Sequence, residues 1–184
     1  MKPIPFFLLF ALTFFNSFAQ RNEREQFTVP LTRVTFFEPG ISHQIPAGRA
    51  QSFVIRAGLT VTADIDESSQ RFGLLPRFFG SSSFRVYYND EKRKARGLNT
   101  ARNSANYFAL LGLLSSKPLG REPYNPDLNS LLLNAGFVWG LQRNYHSRFS
   151  LDLNLGLGYL RSKNTSGFGP VGEFNLGFWL GKKQ

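Results

Sequence analysis

The groups in this chain that could do chemistry are few and widely spaced. There are two histidines in 184 residues and no cysteine, which excludes a thiol nucleophile, a thiolate metal site and a disulfide framework. Ser42-His43 and His146-Ser147 set a hydroxyl beside an imidazole, the pairing an acyl-transfer site uses when a carboxylate orients the ring. Neighbours on a strand point to opposite faces, so Ser42 and His43 cannot pair directly. His146 falls on a short turn, and Asp152 is too far along the chain to orient it. Two distant histidines and scattered carboxylates have no metal-ligand spacing, and no nucleophile elbow, phosphate-cradling loop or dinucleotide signature is present. "GFGPVG" (167–172) is glycine-rich but precedes no helix, and reads as a loop leading into a strand. No cofactor and no metal are expected.

The remaining charges fall into two kinds. Glu38, Arg56, Arg77, Arg85, Asp152 and Glu173 stand singly in otherwise apolar or small-residue surroundings. Isolated charges of both signs suit an interior in which each finds a partner, because an unpaired buried charge costs several kcal/mol. Glu38, Arg56, Arg85, Asp152, Asn154 and Glu173 are therefore expected to form a polar network inside the fold. By contrast "EKRKAR" (91–96) concentrates Lys92, Arg93, Lys94 and Arg96 on one turn. That run reads as a solvated, charged excursion of about one helical turn on the periplasmic side, with anionic lipid headgroups or a periplasmic protein as its conceivable contacts.

The elements that position these residues alternate. "LDLNLGLGYL" (151–160) sets Leu151, Leu153, Leu155, Leu157 and Tyr159 against Asp152, Asn154, Gly156 and Gly158, a period of two and so a strand. "SFVIRAGLTVTAD" (52–64), "LLLNAGFVWGLQ" (131–142) and "GEFNLGFWLG" (172–181) follow the same rule. Three further runs, 33–46, 73–89 and 106–115, are less regular: Pro39 calls for a bulge in the first, Pro76 interrupts the second, and the third is apolar on both faces. That makes seven, and an even-stranded barrel needs one more, for which only about Gln26–Val34 has room.

Two environments fit alternating strands: a soluble sandwich with the apolar face inward, and a membrane barrel with it outward. Here the polar face carries Gly and Asn with single charges rather than the Lys, Glu and Thr of a solvated sheet. Aromatic residues make up 15% of the chain, and Tyr88, Tyr107, Tyr145, Tyr159, Phe178 and Trp179 lie near run ends, where interfacial girdles sit. The expected fold is all-β, a closed antiparallel up-and-down transmembrane β-barrel of about eight strands. Phe53, Ile55, Leu59, Leu133, Phe137, Leu151, Leu153, Leu155, Leu157, Phe174, Leu176 and Phe178 would face lipid. Short turns at 46–49 and 142–148 against longer loops at 66–73, 115–129 and 161–169 match a barrel with short periplasmic turns.

Export is the premise. Lys2, the apolar run from Ile4 to Phe15 and Ser17-Phe18-Ala19 read as a signal peptide over 1–19, followed by a leader over 20–30 and the barrel over 31–184. The formal charge of +10, or +9 once Lys2 leaves with the signal, favours anionic lipid as partner, while export disfavours nucleic acid.

"FRVYYNDEKRKARGLNTARNSANYFALL" (84–111) resembles a family of small, mostly uncharacterised outer-membrane β-barrel proteins of Gram-negative bacteria. The likeness rests on Arg85, Tyr87, Tyr88, Asn89, Glu91, Lys92, Arg93, Gly97, Asn99, Thr100, Asn103, Ser104, Asn106 and Tyr107, with a second echo in "EPGISHQI" (38–45). The resemblance implies an outer-membrane barrel and carries no catalytic residues with it. Outer-membrane lipid and the barrel-assembly machinery would be its partners. The expected role is structural or surface-interacting and not enzymatic, with no pore for solutes. A lipid A deacylase or acyltransferase on the same barrel is the alternative, and a soluble periplasmic lipid-binding barrel the second.

Overall fold

The computed structural model describes residues 26–66, 71–120 and 123–181. The signal segment and the first half of the leader lie outside them. Eight strands follow in chain order: β1 (Leu31–Thr35), β2 (Gly40–Gly48), β3 (Gln51–Asp66), β4 (Arg71–Tyr87), β5 (Asn106–Ser115), β6 (Leu132–Asn144), β7 (Phe149–Arg161) and β8 (Ser166–Leu180). Each pairs antiparallel with the next, and Thr32–Thr35 of β1 pair with Gly177–Leu180 of β8, so the strands form one up-and-down ring. One short helix, α1 (Asp90–Ala95), lies between β4 and β5, and single 3₁₀ turns occur at Ala101–Asn103 and Pro126–Leu128.

Side-chain alternation assigns the two faces of the ring. Along β7, Ser150, Asp152 and Asn154 are buried inside, while Leu153, Leu155 and Leu157 point out, Leu157 being 72% exposed. β4 repeats the pattern, with Arg77, Phe79, Ser81, Ser83, Arg85 and Tyr87 buried and Phe78 and Val86 exposed. The apolar cluster within the ring is small: Tyr87, Ala105, Tyr107, Ala109, Leu111, Val138 and Val171. Leu31, Val54, Leu75, Phe79 and Trp179 are buried apart from it, most other buried side chains are polar, and most large apolar side chains are on the outside.

Three expectations need correction. The run 33–46 is two strands: the chain turns at 36–39, so Pro39 belongs to a hairpin turn and not to a bulge. That turn supplies the missing eighth strand; Phe36 and Phe37 hide it in the sequence because aromatic residues read as strand, whereas here they sit in the turn and pack against Phe178 and Phe174 of β8. Two of the three long loops are partly strand, since β3 pairs with β4 out to Asp66–Arg71 and β7 with β8 out to Arg161–Ser166. Loop length therefore does not distinguish the two ends. Finally, Tyr107 and Trp179 are not on an outer girdle: both face inward and are buried, whereas Tyr88, Tyr145, Tyr159 and Phe178 are outside.

Candidate functional site

The ring interior is a single polar network in two tiers. In the first, Asp152 of β7 accepts from Arg33 of β1 at 2.9 Å, from Arg85 of β4 at 2.6 Å and from the Tyr107 hydroxyl of β5 at 2.6 Å. Arg85 also donates to Gln142 Oε1 of β6 at 3.0 Å, and Gln142 donates to Gln44 Oε1 of β2 at 3.1 Å. Gln44 in turn donates to Ser52 Oγ of β3 at 2.8 Å. The Arg85 guanidinium lies 4.4 Å from the centre of the Tyr107 ring. Tyr107 reaches Asp152 by crossing Gly140 of β6, where a Cβ would come within 2.4 Å of the ring. Glycine is required there by close approach and not by backbone conformation.

In the second tier, Glu173 of β8 accepts from Arg56 of β3 at 2.9 Å and from Ser81 of β4 at 2.8 Å. Arg56 also bonds Glu38 at 3.0 Å and lies over the Phe79 ring at 4.6 Å. Glu38 is only partly buried, leaning from the β1–β2 turn into the mouth, where it also accepts from Thr60 at 2.8 Å. Asn154 joins the tiers, with Nδ2 at 3.4 Å from both the Tyr107 hydroxyl and Glu173. All six residues expected in the network, Glu38, Arg56, Arg85, Asp152, Asn154 and Glu173, thus meet. Arg33, Gln44, Tyr87, Tyr107 and Gln142 join them, with Ser52 and Ser81 as further partners, and every strand of the ring contributes at least one member.

The end of the ring next to Val29 and Trp179 is packed by the β4–β5 connection. Asn103 accepts from the Val29 N–H at 2.7 Å and donates to its carbonyl at 2.8 Å, and the Arg102 guanidinium stacks 3.9 Å over Trp179. Within α1, Arg93 is a staple, donating to the carbonyls of Ser104 and Asn99, while Arg49 pairs with Asp90 and Glu91. Lys92 and Lys94 on the helix and Arg96 at its C-cap are exposed, Lys92 and Arg96 beside Tyr88 and Leu98. A recess of about 860 Å³ opens at this end.

At the other end the described parts of the β5–β6 connection, residues 116–120 and 123–131, form a strap. Arg77 of β4 donates to the carbonyls of Ser116, Ser130 and Leu128. Asp64 of β3 accepts from the Tyr124 and Asn125 N–H groups at 2.8 and 3.1 Å. Asp127 accepts from Asn164 at 2.6 Å and Thr165 at 2.5 Å in the β7–β8 turn. Those two bonds, Thr165 first, hold the Asp127 carboxyl below the ordinary carboxylate value. A recess of about 610 Å³ lies beneath the strap.

The outward positions form a belt. Phe53, Ile55, Leu59, Leu133, Phe137, Leu153, Leu155, Leu157, Phe174 and Phe178 are exposed; Leu151 and Leu176, paired with each other across β7 and β8, are half-buried. Val34, Ile41, Phe72, Leu74, Phe78, Phe108, Leu110 and Trp139 continue the belt through the other strands. His43 sits in it with Nδ1 2.9 Å from the Thr32 hydroxyl, while Ser42 turns inward and accepts from Arg33 at 3.1 Å. His146 is exposed in the β6–β7 turn.

Set against family models, curated proteins and solved structures, the chain matches none.

Proposed function

We propose that this chain is an outer-membrane β-barrel protein of structural or surface-interacting role, exported, inserted by the barrel-assembly machinery and without a passage for solutes. The apolar belt around the outside of the ring carries the reading. Thirty-five large apolar side chains are exposed among the described residues, whereas soluble monomers rarely expose contiguous apolar patches of more than a few hundred Å². The interior supports it from the other side: Arg33, Arg56 and Arg85 are each paired with Asp152, Glu173 or Glu38, as charges withdrawn from water must be. A soluble barrel with a greasy cavity needs the two faces exchanged. Strands of 9 to 17 residues in β2 to β8 suit the roughly 9–11 residues of a tilted crossing.

Cell fractionation, with the purified protein run on a gel boiled and unboiled, tests this reading. Outer-membrane location and faster migration unboiled are expected. Release in a soluble periplasmic fraction would overturn it.

A further inference from the structure

The wall of the ring is incomplete near the strap. β1 pairs with β8 only over Thr32–Thr35 against Gly177–Leu180, and Phe36 adds one backbone bond to Leu176. On the other side β2 pairs with β3 from Gly40 against Gly58, and Leu59 adds one bond to Pro39. Beyond those points β3 continues to Asp66 and β8 begins at Ser166, each with a partner on one side only. Among the described residues no backbone hydrogen bond joins β3 to β8.

The result is a framed window. Its sill is the β1–β2 turn with Glu38, and its jambs are β3 from Thr60 and β8 from Ser166 to Gly172. The strap is its lintel: Asn125 is bonded to Asp64 of β3 and Asp127 to Thr165, the residue before β8. Behind it is the 610 Å³ recess, where Phe79, Leu113, Leu132, Leu160 and Phe168 share the walls with a larger number of hydroxyl and amide residues and with the charged Glu38, Asp127 and Arg161. Phe168, on the β8 jamb, is 89% exposed, and Val61, Ile65, Phe72 and Leu74 carry the apolar exterior up beside the β3 jamb. The recess therefore opens sideways onto apolar surface, and the strap lies across its axial mouth.

We propose that the window is a lateral way in for a single-chain lipid amphiphile of fatty-acid or lysolipid class, whose chain occupies the recess while its polar head stays at the polar rim. The volume is in the range of sites that take such molecules; Leu113, Leu132 and Leu160 offer a chain its apolar contacts, and the polar and charged groups that make up most of the lining suit a headgroup. Half-unpaired jambs at a membrane surface also need polar company, which a headgroup supplies. The proposal rests on the membrane reading above.

The test uses the full mature chain in zwitterionic vesicles containing a palmitic acid analogue with a photoreactive diazirine near its methyl end. After irradiation, labelled residues are located by mass spectrometry. Labels on Leu113, Leu132 or Leu160, in addition to the outer belt, are the expected result. Asn134 faces the recess, and Asn134→Trp should fill it, so that the interior labels are lost and those on Leu155 and Leu157 stay. Labels confined to the belt in the unsubstituted chain would overturn the proposal and leave the membrane reading standing. Absence of label from the belt as well would overturn both. Should Asn134→Trp fail to insert, the map of the unsubstituted chain decides alone.

Discussion

At the scale of single residues, Asp152 is the hinge of the interior. Three donors from three strands converge on one carboxylate, and two of them are buried guanidiniums. Asp152→Asn keeps the shape and removes the charge, leaving Arg33 and Arg85 with no carboxylate in reach. Removing one side of a buried ion pair costs about 3–5 kcal/mol, so the urea midpoint of the folded barrel should fall accordingly. An unchanged midpoint would show that the network fills space without holding the ring. Leu155, 64% exposed on the opposite face of the same strand, probes the exterior. Leu155→Arg should lose about 2–4 kcal/mol in a bilayer if that face meets its midplane, and close to nothing if the face meets water. Most of the network was legible because a charge set singly at an inward position is conspicuous. Tyr107 was not, since Phe108 and Leu110 outside alternate with Ala109 and Leu111 inside, so the apolar run of β5 carries no mark of which face is which.

At the scale of elements, the alternation identified β3, β6, β7 and β8 because each exceeds ten residues and has one polar face. β1 escaped it: five residues offer too few alternations, and the apolar turn after it reads as more strand. The strap was legible only as a loop, since its place depends on Asp64 and Arg77, residues more than 35 positions away in sequence. Arg77→Met removes the donor to three strap carbonyls and should expose residues 116–131 to protease while leaving unboiled gel mobility unchanged; equal protection in both proteins would mean that Asp64 and Asp127 suffice. The Asp127 clip has a pH dependence of known sign. A carboxyl whose value is lowered by folding stabilises the clip fully above the ordinary carboxylate range, and that contribution is lost as pH falls through the lowered value. Side-chain resonances of Asn164 and Thr165 should thus change with a midpoint below about 3.9, the value for Asp in an unstructured peptide. A midpoint at or above it would mean that the clip is not formed in solution.

At the scale of the molecule, the interior does two jobs with one set of side chains. Arg33, Arg56 and Arg85 are balanced inside the ring by Asp152, Glu173 and Glu38, and the buried Arg77 and Asp64 add one charge of each sign, so the excess of basic charge lies elsewhere, much of it on the strand connections. The first tier carries one more guanidinium than carboxylate and the second one more carboxylate than guanidinium, and Asn154 bridges them. Because the members come from all eight strands, the network ties opposite walls together as it fills the space between them. An eight-stranded ring is just wide enough for side chains to fill, and here the filler is ionic and hydrogen-bonded, so opening a channel means breaking buried pairs. Recesses lie at both ends, yet Arg33, Arg85, Tyr107 and Asp152 stand between them, each no more than 3% exposed. Vesicles carrying the protein should therefore swell in an isotonic arabinose solution no faster than vesicles without it. Swelling at a porin-like rate would mean that the Asp152 tier parts in the membrane, and the same assay on Asp152→Asn would then show whether the carboxylate gates it.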